Sequence, residues 1–328
     1  MRPTLRHLCW LALCAAPLAC GNAAPTPSVP IATVPPAVAS AEAPSFDVAL
    51  VWQDDKQGTF RTVWVEKTPD GPAERAVRPD PVVATSKGLW AIRIEDQPPM
   101  MCEPCECEAG VKCPEVEIIG LSAFAVPLSG EAKVEIPFED LRGCGGPTSS
   151  GEMGLAAIGM MGPMVFLGSG VTIQPCDAPH PMFGGSYKVY DLEERKEVDV
   201  SPPSEASASL VARAHEALVR EEEGCILDAK DEATFLTATF SYDTQGKLEG
   251  LYTFTMPSMY MCGRGPTHYE APTDVQDHAL PAAMRPFQTA PAWLVPYLRG
   301  RDISGVSVLP AGLDRKAMWE QFNKPSPK

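Results

Sequence analysis

No cluster of Lys and Arg occurs anywhere in this 328-residue chain, in which 27 basic residues are set against 42 acidic ones. Without such a cluster it cannot neutralise a run of phosphates or hold an anionic bilayer, so nucleic acid is excluded as a partner. A Gly-rich phosphate loop is also missing, and Gly168-Ser169-Gly170 lacks the flanking glycine spacing of a nucleophile elbow. His215-Glu216-Ala-Leu-Val219 falls short of a zincin motif because Val219 stands where the second His is needed. The apolar run from Leu8 to Leu18 is too short to cross a bilayer, which takes about 20 residues. These absences leave no recognisable constellation for nucleophilic or phosphoryl chemistry, and a non-enzymatic protein is expected.

The N-terminus is what the chain does have. Arg2 and Arg6 precede the apolar run, and Leu11-Ala-Leu-Cys-Ala-Ala-Pro-Leu-Ala-Cys20 closes it with the small residue Ala19 before Cys20. This arrangement resembles the lipobox of bacterial lipoproteins, with Pro17 standing where that family prefers Leu. The resemblance implies a signal peptide over 1–19, diacylglyceryl transfer to Cys20, and Cys20 as the mature N-terminus. Gly21 follows, where an Asp would resemble an inner-membrane retention signal, so an outer-membrane anchor is expected. Residues 20–45 are rich in Pro, Ala, Ser and Val and hold no aromatic before Phe46. Such a stretch cannot bury enough apolar surface to fold and reads as a tether.

Roughly 275 residues remain for a globular part over 46–322, read as one domain with a subdivision near residue 145 as the alternative. The formal charge of −15 becomes two units more negative once Arg2 and Arg6 leave with the signal. A lipid-anchored body of this sign stands off an anionic membrane, touches it only through its anchor, and electrostatically permits cationic protein partners. Of eleven cysteines, Cys9 and Cys14 lie in the signal and Cys20 is the lipid site. Cys102, Cys105, Cys107, Cys113, Cys144, Cys176, Cys225 and Cys262 remain. An even set in an oxidising compartment reads as disulfides, whose pairing the spacing does not fix.

The body reads as α+β, mainly antiparallel β. Phe46–Trp52 and Thr59–Val65 form a hairpin pattern, Thr68-Pro-Asp-Gly-Pro72 is a turn, and strands are expected at 89–94, 116–126, 133–137, 164–173 and 187–190. The Gly-rich stretch 143–170 reads as interrupting turns. One helix is clear at about 204–223, capped at Ser204, with Leu210, Ala214, Ala217 and Leu218 on one face. A second hairpin spans 234–256 around Asp243-Thr-Gln-Gly246. Short helical or extended segments are expected at 292–298 and 313–322. Gly88-Leu-Trp and Gly162-Pro-Met-Val-Phe-Leu look blade-like, which keeps a β-propeller as the alternative fold.

Three sulfur-bearing patterns could carry chemistry. Cys102-Glu-Pro-Cys105-Glu-Cys107 with Cys113 could wrap zinc or copper(I), but in this compartment it reads first as a disulfide-stapled loop between two strands. The interleaved Glu103, Glu106 and Glu108 work against a reactive thiolate. Met256, Met259 and Met261, with Met153, Met160, Met161 and Met164, resemble periplasmic copper-carrier motifs; methionine is also an ordinary core filler. Cys176 with His180 and Cys262 with His268 could make a zinc site if their loops meet, although bridges are the commoner use. The acids Asp54, Asp55, Glu139 and Asp140 read as solvated loop carboxylates rather than a glycosidase pair.

Finally, Ala178-Pro-His180-Pro, Gly184-Gly-Ser-Tyr187 and Val189-Tyr-Asp-Leu192 resemble elements of a domain of unknown function. That domain is found in lysozyme-binding anti-sigma factors and beside some peptidoglycan deacetylases. The resemblance covers residues 160–300; the glycine pair follows His180 rather than preceding it, and the cysteines are extra. It implies a cationic protein partner such as lysozyme. The expected function is a disulfide-stabilised binding domain of the cell envelope, with the loops around Cys102, Cys176 and Cys262 as contact surface. A metal-binding lipoprotein and a cell-wall hydrolase are the alternatives.

Overall fold

The computed structural model describes residues 47–54, 60–106, 115–130, 132–138, 147–176, 181–221, 230, 232–258 and 269–325. Residues Ala43–Lys328 form one compact unit. Its spine is an eight-stranded sheet in the order β13 (Lys196–Glu197), β12 (Met182–Asp191), β11 (Met164–Pro175), β10 (Thr148–Met161), β19 (Ile303–Val308), β1 (Val48–Asp54), β2 (Phe60–Thr68), β3 (Gly71–Arg78). It takes strands from both sides of residue 145. Every pairing is antiparallel except β10 with β19, where Met160 and Met161 lie beside Gly305 and Val306.

The continuous apolar run of β1 follows from burial on both faces, since a half-exposed strand would alternate. Val48, Leu50 and Trp52 point into one core; Ala49 and Val51 point into another on the opposite face. On the first face lies a four-stranded sheet, β4 (Val82–Thr85), β5 (Gly88–Asp96), β8 (Leu121–Pro127) and β9 (Val134–Ile136), together with helix α3 (Arg315–Asn323). Trp64 is fully buried there, edge-on to Trp319 and tilted against Phe322, each at 5.2 Å between ring centroids. Asp314 caps α3 by accepting from the Lys316 and Ala317 amides.

The other face carries helix α1 (Ser204–Glu221) and the three-stranded sheet β14 (Thr234–Tyr242), β15 (Leu248–Thr255) and β18 (Thr273–Asp277). Leu210, Ala214 and Leu218, spaced one helical turn apart, are buried against Phe166, Phe240 and Tyr252 of these sheets. The short helix α2 (Val295–Leu298) packs Tyr297 and Leu298 against Val51, Val63 and Val65. Two small ladders complete the list: β6 (Met100–Cys102) with β7 (Val116–Ile118), and β16 (Pro257–Ser258) with β17 (Tyr269–Glu270).

The α+β class, the two hairpins, α1 and the turn at Pro69-Asp70 are as the sequence predicts. The stretch 143–170 is not. Over its described part it holds β10, fourteen residues long, and Gly154, Gly170 and Gly185 lie directly opposite one another on three neighbouring strands. Tertiary pairing overrides the local turn tendency of glycine here; only Gly162, at φ 57°, makes a turn. Gly305 is required by close approach, because a Cβ there would stand 2.6 Å from the Met160 carbonyl oxygen. The propeller alternative is not the arrangement among the described residues. Gly88-Leu-Trp lies on β5 of the four-stranded sheet, and Met164–Leu167 lies on β11 of the continuous eight-stranded one.

Candidate functional site

The described flanks of the cysteine-rich segment, Met100–Cys102 and Val116–Ile118, leave the main sheets and pack on β10 and β11. The two strands, β6 and β7, pair through Met100 with Ile118, Met101 with Glu117 and Cys102 with Val116. We call this strand pair the strap. By strand alternation Met100, Cys102, Val116 and Ile118 face in, and Met101 and Glu117 face out. Cys102 and Ile118 are buried against Ile173, flanked by Met100, Val116, Met153 and Val171, in a small cluster separate from the main cores. Ile118 sits directly on Gly151, where a Cβ would meet its Cδ1 at 2.3 Å. The Thr148 amide donates to the Glu103 carbonyl at 2.9 Å and the Gln97 amide to the Gly120 carbonyl at 2.7 Å, tying both ends of the strap down.

Cys105 is joined to Cys176, at the end of β11, by a disulfide with a Cα separation of 5.4 Å across 71 residues of sequence. In the chain-entropy account a loop of this length gives a bridge about 4 kcal/mol of stabilisation. Cys102 is disulfide-bonded as well. A disulfide sulfur is not the thiolate that zinc or copper(I) takes.

The outward face of the strap is chemically distinct. Met101 is 49% exposed and Ile119 is 53% exposed, two of the few large apolar side chains left on the described surface. Around them Glu103, Glu106, Glu115 and Glu117 are all exposed, and among the described residues none of the four has an ion-pair partner. The pattern is an apolar centre with carboxylates beside it that have no ion-pair partner among the described residues.

A second concavity, a groove of about 790 Å³, runs between the turn after β12, the start of α1 and the 3-10 turn Ala282–Phe287. It too is acidic, but its carboxylates are already engaged. Glu194 pairs with Lys196 at 3.2 Å, Glu197 with Lys188 at 3.1 Å and Glu205 with Arg285 at 3.8 Å. Asp191 accepts from the Glu193 and Glu194 amides, and Asp199 accepts from the Ser201 amide at 2.8 Å. Hydrogen bonding from Ser201 holds the Asp199 carboxyl below its ordinary range. The groove therefore presents less free charge than the strap.

Of the remaining sequence candidates, Met256 is fully buried in the core beside Met161, Met164 and Met284, which is its packing role. Met153 lies under the strap, and Met160 is buried in the core that holds Trp64, on the face of the sheet opposite Met161 and Met164. Ser169 is on β11, its hydroxyl 3.3 Å from that of Ser186, with no histidine in the pair. His215 lies on α1, and Asp54 ends β1. Cys20, Cys107, Cys113, Cys144, Cys225, Cys262, Met259, Met261, His180, His268, Asp55, Glu139 and Asp140 lie outside the described residues. Among the described residues no three His, Cys, Asp or Glu side chains gather as a metal site, and no helix is long and apolar enough to cross a membrane.

Sequence reasoning missed Met101, Ile119, Glu115 and Glu117. The signal was there in Glu115-Val-Glu-Ile118, whose strict alternation puts both carboxylates on one side of a strand.

The fold and the strap define a β-rich α+β domain with a bridge-held surface element. No protein-family model matches the chain, and no curated protein matches it. Among solved structures, the chain is similar to a DUF3298 family protein from Pseudomonas aeruginosa PAO1 at 14% identity, over 62% of this chain and 96% of that one. The TM-score is 0.32, a likeness that fixes neither fold nor function. Of the segments carrying the resemblance over 160–300, Gly184–Tyr187 and Val189–Asp191 lie on β12, and the helix and hairpin that follow are α1 and β14–β15.

Proposed function

We propose that this chain is a non-enzymatic lipoprotein of the outer membrane, anchored through Cys20 and spaced from the bilayer by residues 20–45, whose β-rich domain holds a cationic protein on the outer face of the strap. The observation that carries this reading is the presence, beside exposed Met101 and Ile119, of four exposed carboxylates that have no ion-pair partner among the described residues. An apolar centre with a charged rim is the usual division of labour in a protein interface: the anchor supplies affinity and the rim supplies steering. The net charge of −15 favours the same class of partner, and so does the resemblance of residues 160–300 to a domain of lysozyme-binding proteins.

The test uses the chain exported to an oxidising periplasm and purified without reductant, titrated with hen egg-white lysozyme as the cationic probe. Saturable binding at low salt that weakens at moderate salt is expected. Met101→Ser with Ile119→Ser lowers the affinity by about tenfold or more, whereas Glu103→Gln with Glu117→Gln chiefly slows association and flattens the salt dependence. Absence of binding at low salt removes the proposal.

A further inference from the structure

We infer that the contact surface runs past the strap onto the adjoining arm, residues 97–99, and selects arginine rather than lysine on the cationic protein; this deepens the reading above and rests on it. Three observations carry it. First, the arm belongs to the same patch. The Gln97 amide donates to the Gly120 carbonyl at 2.7 Å and Met100 pairs with Ile118, so Pro98 and Pro99 span the stretch opposite Ile119. Both prolines are exposed, as are Met101 and Ile119, which makes one apolar surface of four side chains. Second, the main chain of this surface offers acceptors and few donors. Pro98 and Pro99 have no N–H, and among the described residues the carbonyls of Pro98, Pro99 and Ile119 accept no hydrogen bond. Third, carboxylates flank it. Asp96, which ends β5, and Glu117, which pairs with Met101, are exposed and have no ion-pair partner among the described residues.

These features match a guanidinium better than an ammonium. A guanidinium is planar and weakly hydrated: its faces lie against apolar surface while the N–H groups at its edge reach acceptors around it. Carbonyls covered by a partner need donors in place of the water they lose, and a proline pair adds no N–H that would be left unsatisfied on burial. An ammonium is a compact charge that keeps its water and has no flat face to lay on proline or methionine. Arginine is correspondingly enriched at interface centres, where lysine is depleted. The two prolines also hold φ at about −65° before the partner arrives, so the arm gives up little conformational freedom on binding. Selection is then a difference in affinity between two cations of equal charge.

Two fluorescein-labelled decapeptides of equal charge, alternating glycine with arginine or glycine with lysine, test this by anisotropy against the full chain at low salt. The arginine peptide binds about fivefold or more tightly than the lysine peptide, and the ratio falls to about one in a Pro98→Ser/Pro99→Ser variant. Ile119→Ser leaves the arm intact and narrows the ratio as well, which keeps the test open should the proline variant fail to fold; near-UV circular dichroism matching the parent chain shows that each variant is folded. Equal affinities for the two peptides in the parent chain overturn the inference, because the surface then reads charge alone. A preference that survives in the folded variants overturns it too, by placing the arginine elsewhere. Lysozyme binding without an arginine preference removes this inference and leaves the reading above standing, whereas no binding of lysozyme or of either peptide removes both.

Discussion

Replacing Ile118 with Ala should loosen the strap and leave the rest of the molecule intact. Ile118 is 1% exposed and fills the hollow left by the missing Cβ of Gly151. Removing its branched side chain costs the transfer free energy of the lost carbons plus the cavity behind them, and Ile→Ala changes of this kind fall in the range of about 2–5 kcal/mol. Taking about 3 kcal/mol, and about 1.4 kcal/mol for each factor of ten, the opening equilibrium of the strap shifts by roughly a hundredfold. Ile118 belongs to the satellite cluster and not to the cores around Trp64, Phe166 or Val51, so the strap can open without disturbing them. The bridge from Cys105 to Cys176 keeps the strap tethered even when open. Hydrogen exchange under conditions where reclosing is fast reports the equilibrium directly at Met100–Cys102 and Val116–Ile118. A denaturant melt of the same variant should shift by no more than the free energy of strap opening in the parent chain, because the sheet stays folded once the strap is open. A midpoint shift equivalent to the full 3 kcal/mol, with strap exchange unchanged relative to the sheet, would refute the reasoning by showing that the strap unfolds only with the whole domain.

Two further outcomes follow from the packing. Trp64→Ala empties the junction of β2 with α3, where the indole meets Trp319 and Phe322, and should cost about 3–5 kcal/mol of global stability, read as a fall in the denaturation midpoint. The Glu193 carboxylate accepts from the Ser86 hydroxyl and, at 2.6 Å, from the Ser86 amide, and the hydroxyl bond above all holds its carboxyl below the ordinary Glu value of 4.5. A lowered folded pKa stabilises above the unfolded value and is lost as pH falls through the folded one. The stability difference between the parent chain and Ser86→Ala should therefore be present at neutral pH and shrink below pH 4.5. Ser86 is exposed, so it stays under about 1 kcal/mol; a difference that grew on acidification would contradict the assignment.

What could be read from the sequence follows the range of the interactions involved. The hairpin β1–β2 and the helix α1 were legible because their signals are local: alternation around a turn, and apolar residues one helical turn apart beside Ser204. Strand β10 was not, because Gly151, Gly154 and Gly159 read as turn formers until β11, β12 and β19 are brought alongside. β19 and its parallel partner are joined across more than a hundred residues, a pairing with no local signature. For the candidate site, the cysteines around 102 marked the segment that carries the Cys105–Cys176 bridge. Their partner did not follow, since the Cys105–Cys176 bridge depends on the strap lying over the end of β11. The outward face was written in the alternation of Glu115 to Ile118, but it gains meaning only once Ile118 is seen to be buried and Ile119 exposed.

The strap is the surface proposed to meet a cationic protein. Hydrogen exchange of the bridged chain with and without saturating lysozyme at low salt tests this most directly. Added protection at Met100–Cys102 and Val116–Ile118, with the groove segments 191–205 and 281–287 unchanged, is the predicted result. Protection of the groove with the strap unaltered would contradict it and place the partner beside the start of α1.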